Sequence, residues 1–334
     1  MDEKKKTIFV TCGDPNGIGP EVTLKAVLEL PEETSQRLLL AGPFQVLSEM
    51  NELLGEPLAL EQVQTIKEAH QSKFIPVLEL EGARTFHPSY GRVTPEAGMI
   101  AGRGIMWGTA ACLQGETAAL VTAPSCKEAM QMAGFHYPGQ TEMIAALAGV
   151  TRFIMILTNG ALRVGMATTH VAIKEVPKLL RRNLIRDKLL ALQEGLQTWF
   201  RISQPRLAVA ALNPHASDGG IFGNEEARII KPAIEDAKRQ GVAVVGPLPA
   251  DTLFTKWKEF DGILCMYHDQ GMIPIKIAAF GEAVNFTSGL PFPRTSPDHG
   301  TAFDIAGQLI ANHSSMVKAI KMAEEFASFK QRKE

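Results

Sequence analysis

A repeated order of strand, loop and helix constrains this chain more than any other feature. Residues 5–30 read as a short β-rich run, a turn rich in Gly and Pro, and then a helix. Pro20 and Glu21 suit the first turn of that helix, because Pro is tolerated there and the helix dipole favours a carboxylate. The run RLLLAGPFQVLSEMNELLG repeats the order. This alternation predicts an α/β fold with a mostly parallel sheet.

Two local signals add to this prediction. Thr94, followed by Pro95 and Glu96, predicts the start of a long helix, and Thr158-Asn159-Gly160 predicts the turn of a β-hairpin.

Composition excludes several classes of protein. The chain has 334 residues, of which 45% are hydrophobic and 21% are charged, as expected for one large globular domain or two smaller ones. The net charge of -2 gives no bulk electrostatic reason to bind nucleic acid or an anionic membrane. A basic site for a phosphate group must therefore be local.

Cysteine spacing and the first residues bear on the compartment. The four cysteines lie far apart and form no CxxC pair, which argues against a zinc–thiolate site or a disulfide scaffold and favours a reducing compartment. The first apolar run is too short for a signal peptide or a membrane span. We therefore expect a soluble, cytoplasmic protein.

Three strand-like runs each lead into a loop that contains a histidine: His170, His215 and His268. In an α/β sheet, ligand-binding groups gather at the carboxyl ends of the strands. Three imidazoles with further positions open are typical of a catalytic metal centre. Imidazole suits zinc best, with cobalt or magnesium as alternatives. The pattern predicts a divalent-metal site.

Further polar groups follow between Cys265 and Gly307. Arg294 suits bidentate capture of a carboxylate or a phosphate. Lys276 lies in the apolar run IPIKIAAF, which reads as a buried strand, and we expect its amine to face a polar cleft because burying it unpaired is costly. Asn285 follows at a strand or loop position. Together they indicate a small anionic substrate.

Gly139, Gln140 and Thr141 directly precede a predicted helix. The start of a helix is a natural site for an anion, since its N–H groups lack partners within the helix. Ordinary capping of the helix by Thr141 is the alternative.

The run from His299 to Gly307, with Asn312 after it, resembles the adenosine-binding loop of isocitrate and isopropylmalate dehydrogenases. The resemblance implies that His299, Asp304 and Asn312 bind NAD. Asp304 would contact the adenosine ribose and would repel the 2′-phosphate of NADP, which leaves NADP as the less favoured cofactor.

The whole chain resembles the 4-hydroxythreonine-4-phosphate dehydrogenase family of vitamin B6 biosynthesis. The matching blocks are GDPNGIGPE, TAPSCK, PGQTE, ATTH, LNPHASDGG, GPLPADTLF, MYHDQGMIPIK and VNFTSGLPFPRTSPDHGTA. The resemblance implies an NAD- and metal-dependent oxidation of 4-phosphooxy-L-threonine to 2-amino-3-oxo-4-phosphooxybutanoate, which then decarboxylates to 3-amino-2-oxopropyl phosphate.

Residue roles follow from the same resemblance. It makes the three histidines named above the metal ligands, contributed by both subunits of a homodimer with a shared active site. It makes the following residues substrate contacts: Gln140, Thr141, Lys276, Asn285 and Arg294. The general base stays open among three candidates: Lys276, Asp251 and Asp269.

One position departs from the family pattern. The family usually has Gly-His-Thr where this chain has Gly139, Gln140 and Thr141, and glutamine can donate a hydrogen bond but carries no charge. Relatives on the same scaffold act on threonate or erythronate 4-phosphates, or on cis-dihydrodiols of aromatic acids. A metal-dependent lyase or hydrolase that does not use NAD, or a binding protein without chemistry, also stays open.

The resemblance further implies two α/β/α lobes of the isocitrate/isopropylmalate dehydrogenase type, with the active-site cleft between them. We expect the first lobe to comprise residues 1–130 and 283–334 and to carry the NAD-binding loop. We expect the second, residues 131–282, to carry the metal site and the dimer interface.

Overall fold

The structure is a computed structural model that describes residues 7–55, 58–279 and 281–331. The chain divides into two compact units, the first formed by residues 1–149 with 291–334 and the second by residues 150–290. The sequence predicted these divisions at 130/131 and 282/283. Residues 1–6, which precede the first apolar run, lie outside the described part.

Strands and helices alternate along the chain. The strands are β1 (Ile8–Thr11), β2 (Leu38–Gly42), β3 (Leu60–Val63), β4 (Ile75–Glu79), β5 (Ala119–Thr122), β6 (Ile154–Thr158), β7 (Arg163–Met166), β8 (Leu207–Ala210), β9 (Val244–Leu248), β10 (Gly262–Cys265), β11 (Val284–Ser288) and β12 (Arg294–Pro297). The α-helices are α1 (Gly19–Glu29), α2 (Glu32–Ser35), α3 (Phe44–Leu53), α4 (Ile66–Ala69), α5 (Pro95–Leu113), α6 (Lys127–Met132), α7 (Gln140–Leu147), α8 (Val176–Leu179), α9 (Arg182–Thr198), α10 (Lys231–Arg239), α11 (Ala250–Thr255), α12 (His268–Ala279) and α13 (Ser314–Gln331). The predicted α/β class is confirmed.

The first unit contains a parallel sheet with the strand order β3-β4-β2-β1-β5-β12. Its central strands β1, β2 and β5 are buried along their whole length, as parallel strands covered on both faces are. Helix α5 begins after Thr94, whose hydroxyl accepts a hydrogen bond from Ala97 N, as the sequence predicted. Gly108 of α5 lies so close to Phe9 and Leu120 that a Cβ there would approach Leu120 Cδ1 to 2.5 Å. Helices α6 and α7 also pack against α5, which extends this unit to residue 149.

The second unit contains a mixed sheet with the strand order β11-β6-β7-β10-β8-β9. The pairs β11–β6 and β6–β7 are antiparallel, and β7, β10, β8 and β9 run parallel to one another. The hairpin predicted between β6 and β7 is confirmed, and Asn159 Oδ1 accepts hydrogen bonds from Ala161 N and Leu162 N in its turn.

The strand predicted over IPIKIAAF is wrong, because this run belongs to helix α12; its last residue, Phe280, lies outside the described part. The alternation of isoleucine suggested a period of two. Ile275 is buried, whereas Ile273 and Ile277 are 60% and 66% exposed, one helical turn apart on the outer face. Gly271 lets the helix approach β7, since a Cβ there would lie 2.7 Å from a Val164 methyl carbon.

Among the described residues, no helix combines the length and the apolar character needed to cross a membrane. No disulfide joins the four cysteines, which all lie in the described part.

Candidate active site

The three histidine loops leave the same edge of the second unit's sheet. Strands β7, β10 and β8 are neighbours and run in parallel, so that their carboxyl ends share one edge. His170 follows β7, His268 is the first residue of α12 after β10, and His215 follows β8. The ring centroids of His170 and His268 are 5.4 Å apart. We call this region, with its three histidines, the histidine edge.

Two polar side chains connect the loops of the histidine edge. Thr168 donates from its N–H and from its hydroxyl to Met266 O, at 3.2 and 2.7 Å, and so joins the loops after β7 and β10. Gln270 accepts from Met266 N at 2.7 Å and donates to Ala211 O at 2.6 Å, which joins the loops after β10 and β8. Neither residue was predicted, because the hydrogen bonds from Thr168 to Met266 and from Gln270 to Ala211 join loops that are remote in the sequence.

The imidazole of His268 is oriented by its neighbour. Its Nδ1 lies 2.7 Å from Asp269 Oδ1, and a carboxylate acceptor fixes the proton on that nitrogen. The lone pair of Nε2 then remains for a ligand. A histidine whose second nitrogen is hydrogen-bonded to a carboxylate is a common arrangement among metal ligands.

His215 lies on an unusual stretch of main chain. Five consecutive residues, from His215 to Gly219, have φ between 42° and 71°, which makes one left-handed turn within Pro214–Gly220. Four of the five have side chains, and each such residue costs about 1 kcal/mol or more in this conformation. A turn of this kind persists only where its surroundings hold it.

A buried carboxylate lies against this turn. Glu226 is 1% exposed, and burial alone would raise the pKa of its carboxyl group. Hydrogen bonds from Asn213 and Ser217 outweigh the burial and lower the pKa, so that Glu226 is ionised at neutral pH.

One chain supplies part of a possible set of metal ligands. Among the described residues of one chain, no three His, Cys, Asp or Glu side chains are grouped so that they could hold a metal ion. His170 and His268 are adjacent, and the oriented imidazole of His268 suits a borderline cation such as zinc. These residues therefore fit a metal ion as part of its ligand set.

Large apolar side chains are exposed beside each histidine loop. Val171 and Ile173, after His170, are 41% and 66% exposed, and Ile221 and Phe222, after the left-handed turn, are 74% and 48% exposed. On α12, which begins at His268, Ile273 and Ile277 are exposed as well. Val171 and Ile173 also line a cavity of about 220 Å³ together with His170 and His268.

Three other predicted residues of the second unit lie on regular elements. Lys276 is exposed on α12, and Asp251 is exposed in the first turn of α11, after β9. Asn285 lies in β11, where its amide nitrogen donates to Met155 Sδ at 3.2 Å. Its Oδ1 is buried and accepts no hydrogen bond from the described residues. A buried acceptor of this kind calls for a donor from a ligand or water.

In the first unit, Arg294 forms the centre of a buried polar cluster. Its side chain lies at the start of β12 and is 2% exposed. One terminal nitrogen donates to Thr122 Oγ1 at 2.6 Å and to Gln140 Oε1 at 2.7 Å, and the other donates to Thr141 Oγ1 at 3.2 Å. Burial lowers the pKa of Arg294 to about 10, with the charge of Glu142 opposing the change, so the guanidinium stays charged at neutral pH. We call Arg294, Thr122, Gln140 and Thr141 the Arg294 cluster.

The amide of Gln140 is fully engaged within the protein. Its oxygen accepts from Thr122 and Arg294, and its nitrogen donates to Ala123 O at 3.1 Å and to Ser125 Oγ at 2.7 Å. An amide has two donor and two acceptor positions, and all four are used. In this conformation Gln140 holds Arg294, and its predicted contact with substrate stays a prediction.

Thr141 does not cap helix α7. Gly139 occupies the cap position, and the Thr141 hydroxyl accepts from Arg294 instead. The alternative of ordinary capping by Thr141 is therefore wrong.

The predicted nucleotide loop, between β12 and α13, is fixed to helix α1. Ile18 N donates to Thr301 O at 3.0 Å, and Ala311 N donates to Glu21 Oε1 at 2.7 Å. Lys25 donates to Leu309 O and pairs with the buried Glu21 at 2.7 Å. The Gly-rich turn before α1 thus supports the loop, a role that the sequence analysis did not assign to it.

The three residues predicted to bind the cofactor lie on this loop. His299 is half-buried, with its Nδ1 3.1 Å from Gly300 O. Asp304 is exposed. Asn312 is exposed, and its Oδ1 accepts from Ser314 N at the start of α13.

Comparisons with known proteins match nearly the whole chain. The family described as pyridoxal phosphate biosynthetic protein PdxA matches residues 33–323. A 4-hydroxythreonine-4-phosphate dehydrogenase from Geobacter metallireducens is 40% identical over 99% of this chain and 98% of its own length. A "Putative D-threonate 4-phosphate dehydrogenase" from Bradyrhizobium diazoefficiens is 41% identical over 96% of each chain.

Solved structures extend the comparison to the fold. A 4-hydroxythreonine-4-phosphate dehydrogenase from Klebsiella pneumoniae has a TM-score of 0.85 at 38% identity and covers 98% of this chain and 99% of its own. A β-decarboxylating dehydrogenase from Thermococcus kodakarensis has a TM-score of 0.51 at 13% identity over 97% of this chain and 84% of its own, which shows a shared fold alone.

Proposed function

The chain belongs to the family of the pyridoxal phosphate biosynthetic protein PdxA, and from this premise we propose that it oxidises 4-phosphooxy-L-threonine with NAD and a divalent metal ion. The product, 2-amino-3-oxo-4-phosphooxybutanoate, then decarboxylates to 3-amino-2-oxopropyl phosphate in the cytoplasmic synthesis of vitamin B6. A dehydrogenase of this family uses a nicotinamide cofactor. The adjacent imidazoles of His170 and His268 carry the proposal, since metal-assisted oxidation of an alcohol needs such ligands.

His170, His215 and His268 hold the metal ion in this proposal, with zinc favoured and cobalt or magnesium as alternatives. The ion supplies Lewis acidity, which makes the substrate alcohol easier to deprotonate. Asp269 keeps the proton of His268 on Nδ1 and so presents Nε2 as the ligand atom. Since its carboxylate is used in this way, Asp269 is a weaker candidate for the general base than Asp251 or Lys276.

Arg294 and Thr141 bind the phosphate or the carboxylate of the substrate. Hydrogen bonds to Thr122, Thr141 and Gln140 orient the guanidinium, and these three partners are neutral. A buried cation of this kind strongly favours an anionic ligand, because the low local dielectric strengthens their attraction. Lys276 and Asn285 are the further substrate contacts, and the buried Oδ1 of Asn285 suits a hydroxyl or ammonium donor.

His299, Asp304 and Asn312 bind the cofactor, whose nicotinamide accepts the hydride. The exposed carboxylate of Asp304 suits the hydroxyl groups of a ribose, and it would repel the 2′-phosphate of NADP. We therefore favour NAD.

Two copies of the chain form the active enzyme in this proposal. Exposed apolar side chains next to all three histidine loops are typical of a surface that another protein covers. Because one chain does not group three ligand side chains among its described residues, a second copy that supplies the missing ligand accounts for both observations.

Oxidation of D-threonate 4-phosphate is the second candidate function. This substrate carries a hydroxyl group where 4-phosphooxy-L-threonine carries an amine. The relative from Bradyrhizobium diazoefficiens and the full engagement of Gln140, at the position where the family usually has histidine, favour it.

The test follows NADH absorbance with each of the two substrates, before and after removal of metal with a chelator and after addition of zinc. We expect NADH formation that the chelator abolishes and zinc restores. His215→Ala should lose turnover by about 10³-fold or more with an unchanged circular dichroism spectrum, as loss of a catalytic metal ligand does. His87→Ala, at an exposed histidine of the first unit, is the matched control.

Three results would count against the proposal. Undiminished activity in His215→Ala would remove this histidine from the metal site. Consumption of the substrate without NADH formation would assign the chain to a lyase or hydrolase class. Binding of the substrate without any turnover would leave a binding protein.

A further inference from the structure

The left-handed turn that carries His215 is stabilised from one side by a single buried carboxylate. Glu226 Oε1 accepts from Leu212 N at 2.9 Å and from Asn213 N at 2.7 Å, directly before the turn. Glu226 Oε2 accepts from Asn213 Nδ2 at 2.9 Å and from the hydroxyl of Ser217, in the middle of the turn. The same side chain therefore fixes the entry and the centre of the turn.

Glu226 is itself held on a rigid element. It begins a π-helical turn, Glu226–Ile230, that continues directly into α10, and α10 packs against α9. Its side chain is 1% exposed. A carboxylate buried on a packed helix cannot follow the loop, so the loop must adopt the conformation that brings its donors to the carboxylate.

The neighbouring Glu225 provides a natural contrast. It is only partly buried, and in the described structure its carboxylate accepts one hydrogen bond, from Asn213 Nδ2 at 2.8 Å. It bonds neither to the main chain before the turn nor to Ser217. The two glutamates share a charge and a partner, and they differ in their hold on the turn.

We infer that Glu226 is the positioning residue of His215: its carboxylate keeps the left-handed turn in place and thereby presents the imidazole of His215 to the metal ion. This inference rests on the metal role proposed above for His215. Glu226 acts through the turn and does not ligate the metal.

The test compares Glu226→Gln with Glu225→Gln. Glutamine keeps the length of the side chain but replaces one acceptor oxygen with an NH₂ group, which would face N–H or O–H donors of the turn. We expect zinc affinity, measured by competition with a chelator, to fall by about 10–100-fold in Glu226→Gln, as for other residues that orient metal ligands. Glu225→Gln should stay within about twofold.

A second measurement reports on the stability of the turn in the absence of metal. Amide hydrogen exchange of residues 213–220 in the metal-free protein should speed up by about tenfold or more in Glu226→Gln, whereas exchange in β8 should not change. Ile234→Ala, at a buried position of α10, controls for general destabilisation, and we expect it to lower the melting temperature with unchanged zinc affinity. If Glu226→Gln fails to fold, Ser217→Ala takes its place in the test. This variant removes one hydrogen bond of the turn, so we expect a smaller loss of zinc affinity.

The outcomes separate this inference from the proposed function. Zinc binding or turn exchange in Glu226→Gln that equals the wild type would overturn the inference, as would an equal loss of zinc affinity in Ile234→Ala. If the wild-type protein binds no zinc, the proposed function fails and the metal role of Glu226 fails with it, while hydrogen exchange still decides whether Glu226 holds the turn.

Discussion

The Arg294 cluster of the first unit and the histidine edge of the second differ in how completely one chain builds them. Arg294 is buried, and the structure shows its guanidinium bonded to three side chains of its own unit. The histidine edge has two adjacent imidazoles, a third on a strained turn, and exposed apolar side chains beside all three loops. Under the proposed function, one chain would suffice for anion recognition, whereas metal binding would require a partner surface.

The largest expected effect concerns the Arg294 cluster. Arg294→Lys replaces the planar guanidinium with an ammonium group on a single nitrogen, which cannot bond to Thr122, Gln140 and Thr141 together. We expect kcat/KM for the phosphorylated substrate to fall by about 10³-fold, since two charge-assisted hydrogen bonds contribute about 4 kcal/mol. Steady-state kinetics measures the loss. Arg103→Lys, at a salt-bridged arginine of α5 in the same unit, serves as control, and a loss below tenfold in Arg294→Lys would remove the cluster from anion binding.

The next prediction concerns the exposed apolar side chains at the histidine edge. Ile277→Glu places a charge on the exposed apolar face of α12. It should weaken the proposed dimer by about 10²-fold, because each of the two symmetry-related positions would lose about 1.5 kcal/mol of apolar burial. Sedimentation and zinc titration should show dissociation and a parallel loss of zinc affinity. Leu53→Glu, at a leucine of α3 that is 62% exposed in the first unit, should change neither. A variant that stays dimeric would show that α12 lies outside the interface.

The same contrast explains what the sequence could predict. Hydrophobic runs and turn residues identified the strands, the hairpin at Asn159 and the start of α5 at Thr94, because these features depend on local preferences. The order of strand and loop predicted that the three histidine loops leave the same edge of a sheet, as they do. Helix α12 was read as a strand because Ile273 and Ile277 are apolar without being buried in their own chain, which removes the helical pattern of apolar residues.

Other features depend on contacts that no local pattern reveals. The left-handed turn, in which four of the five residues have side chains, has no sequence signal of its own. It is stabilised by Glu226, which lies eleven residues after His215 in the sequence. Likewise, Gln140 could be recognised as a departure from the family, but its four hydrogen bonds depend on the packing of α7 against the end of β5. The sequence thus indicated which residue types to expect at the candidate site, but not the bonds that orient them.

Asp14 is a buried polar group of the first unit whose hydrogen bonding is incomplete. Its carboxyl group is buried, and Oδ2 accepts no hydrogen bond from the described residues. Burial raises the pKa of Asp14 from 3.8 to about 6, although hydrogen bonds from the main chain at Asn16 and Cys126 oppose the change. The folded state therefore resists ionisation, and the polar network of this unit is not complete everywhere.

The sign of the pH dependence follows from this raised pKa. Well below pH 4 the carboxyl group is protonated in both states. Between about pH 4 and pH 6 the unfolded state is ionised while the folded state is still protonated, so the wild type loses about 3 kcal/mol of stability that it does not regain above this range. Asp14→Asn removes the titration. We expect its stability relative to the wild type to increase between these pH values and then to level off, as measured by urea denaturation across the range. A difference between the two proteins that does not vary with pH would show that Asp14 ionises normally.

The smallest expected effect concerns Gln140, and it asks whether the Arg294 cluster also selects the substrate. Histidine has two ring nitrogens, so Gln140→His cannot accept from Thr122 and Arg294 while donating to Ala123 and Ser125. An imidazole at this position must release some of these bonds, and it becomes available to the substrate. We expect the ratio of kcat/KM for 4-phosphooxy-L-threonine to that for D-threonate 4-phosphate to rise by about tenfold, the value of one hydrogen bond of about 1.4 kcal/mol. Gln131→His, outside the cluster on α6, is the control. An unchanged ratio with lowered values for both substrates would mean that Gln140 only supports Arg294, and that selection between the amine and the hydroxyl takes place in the second unit.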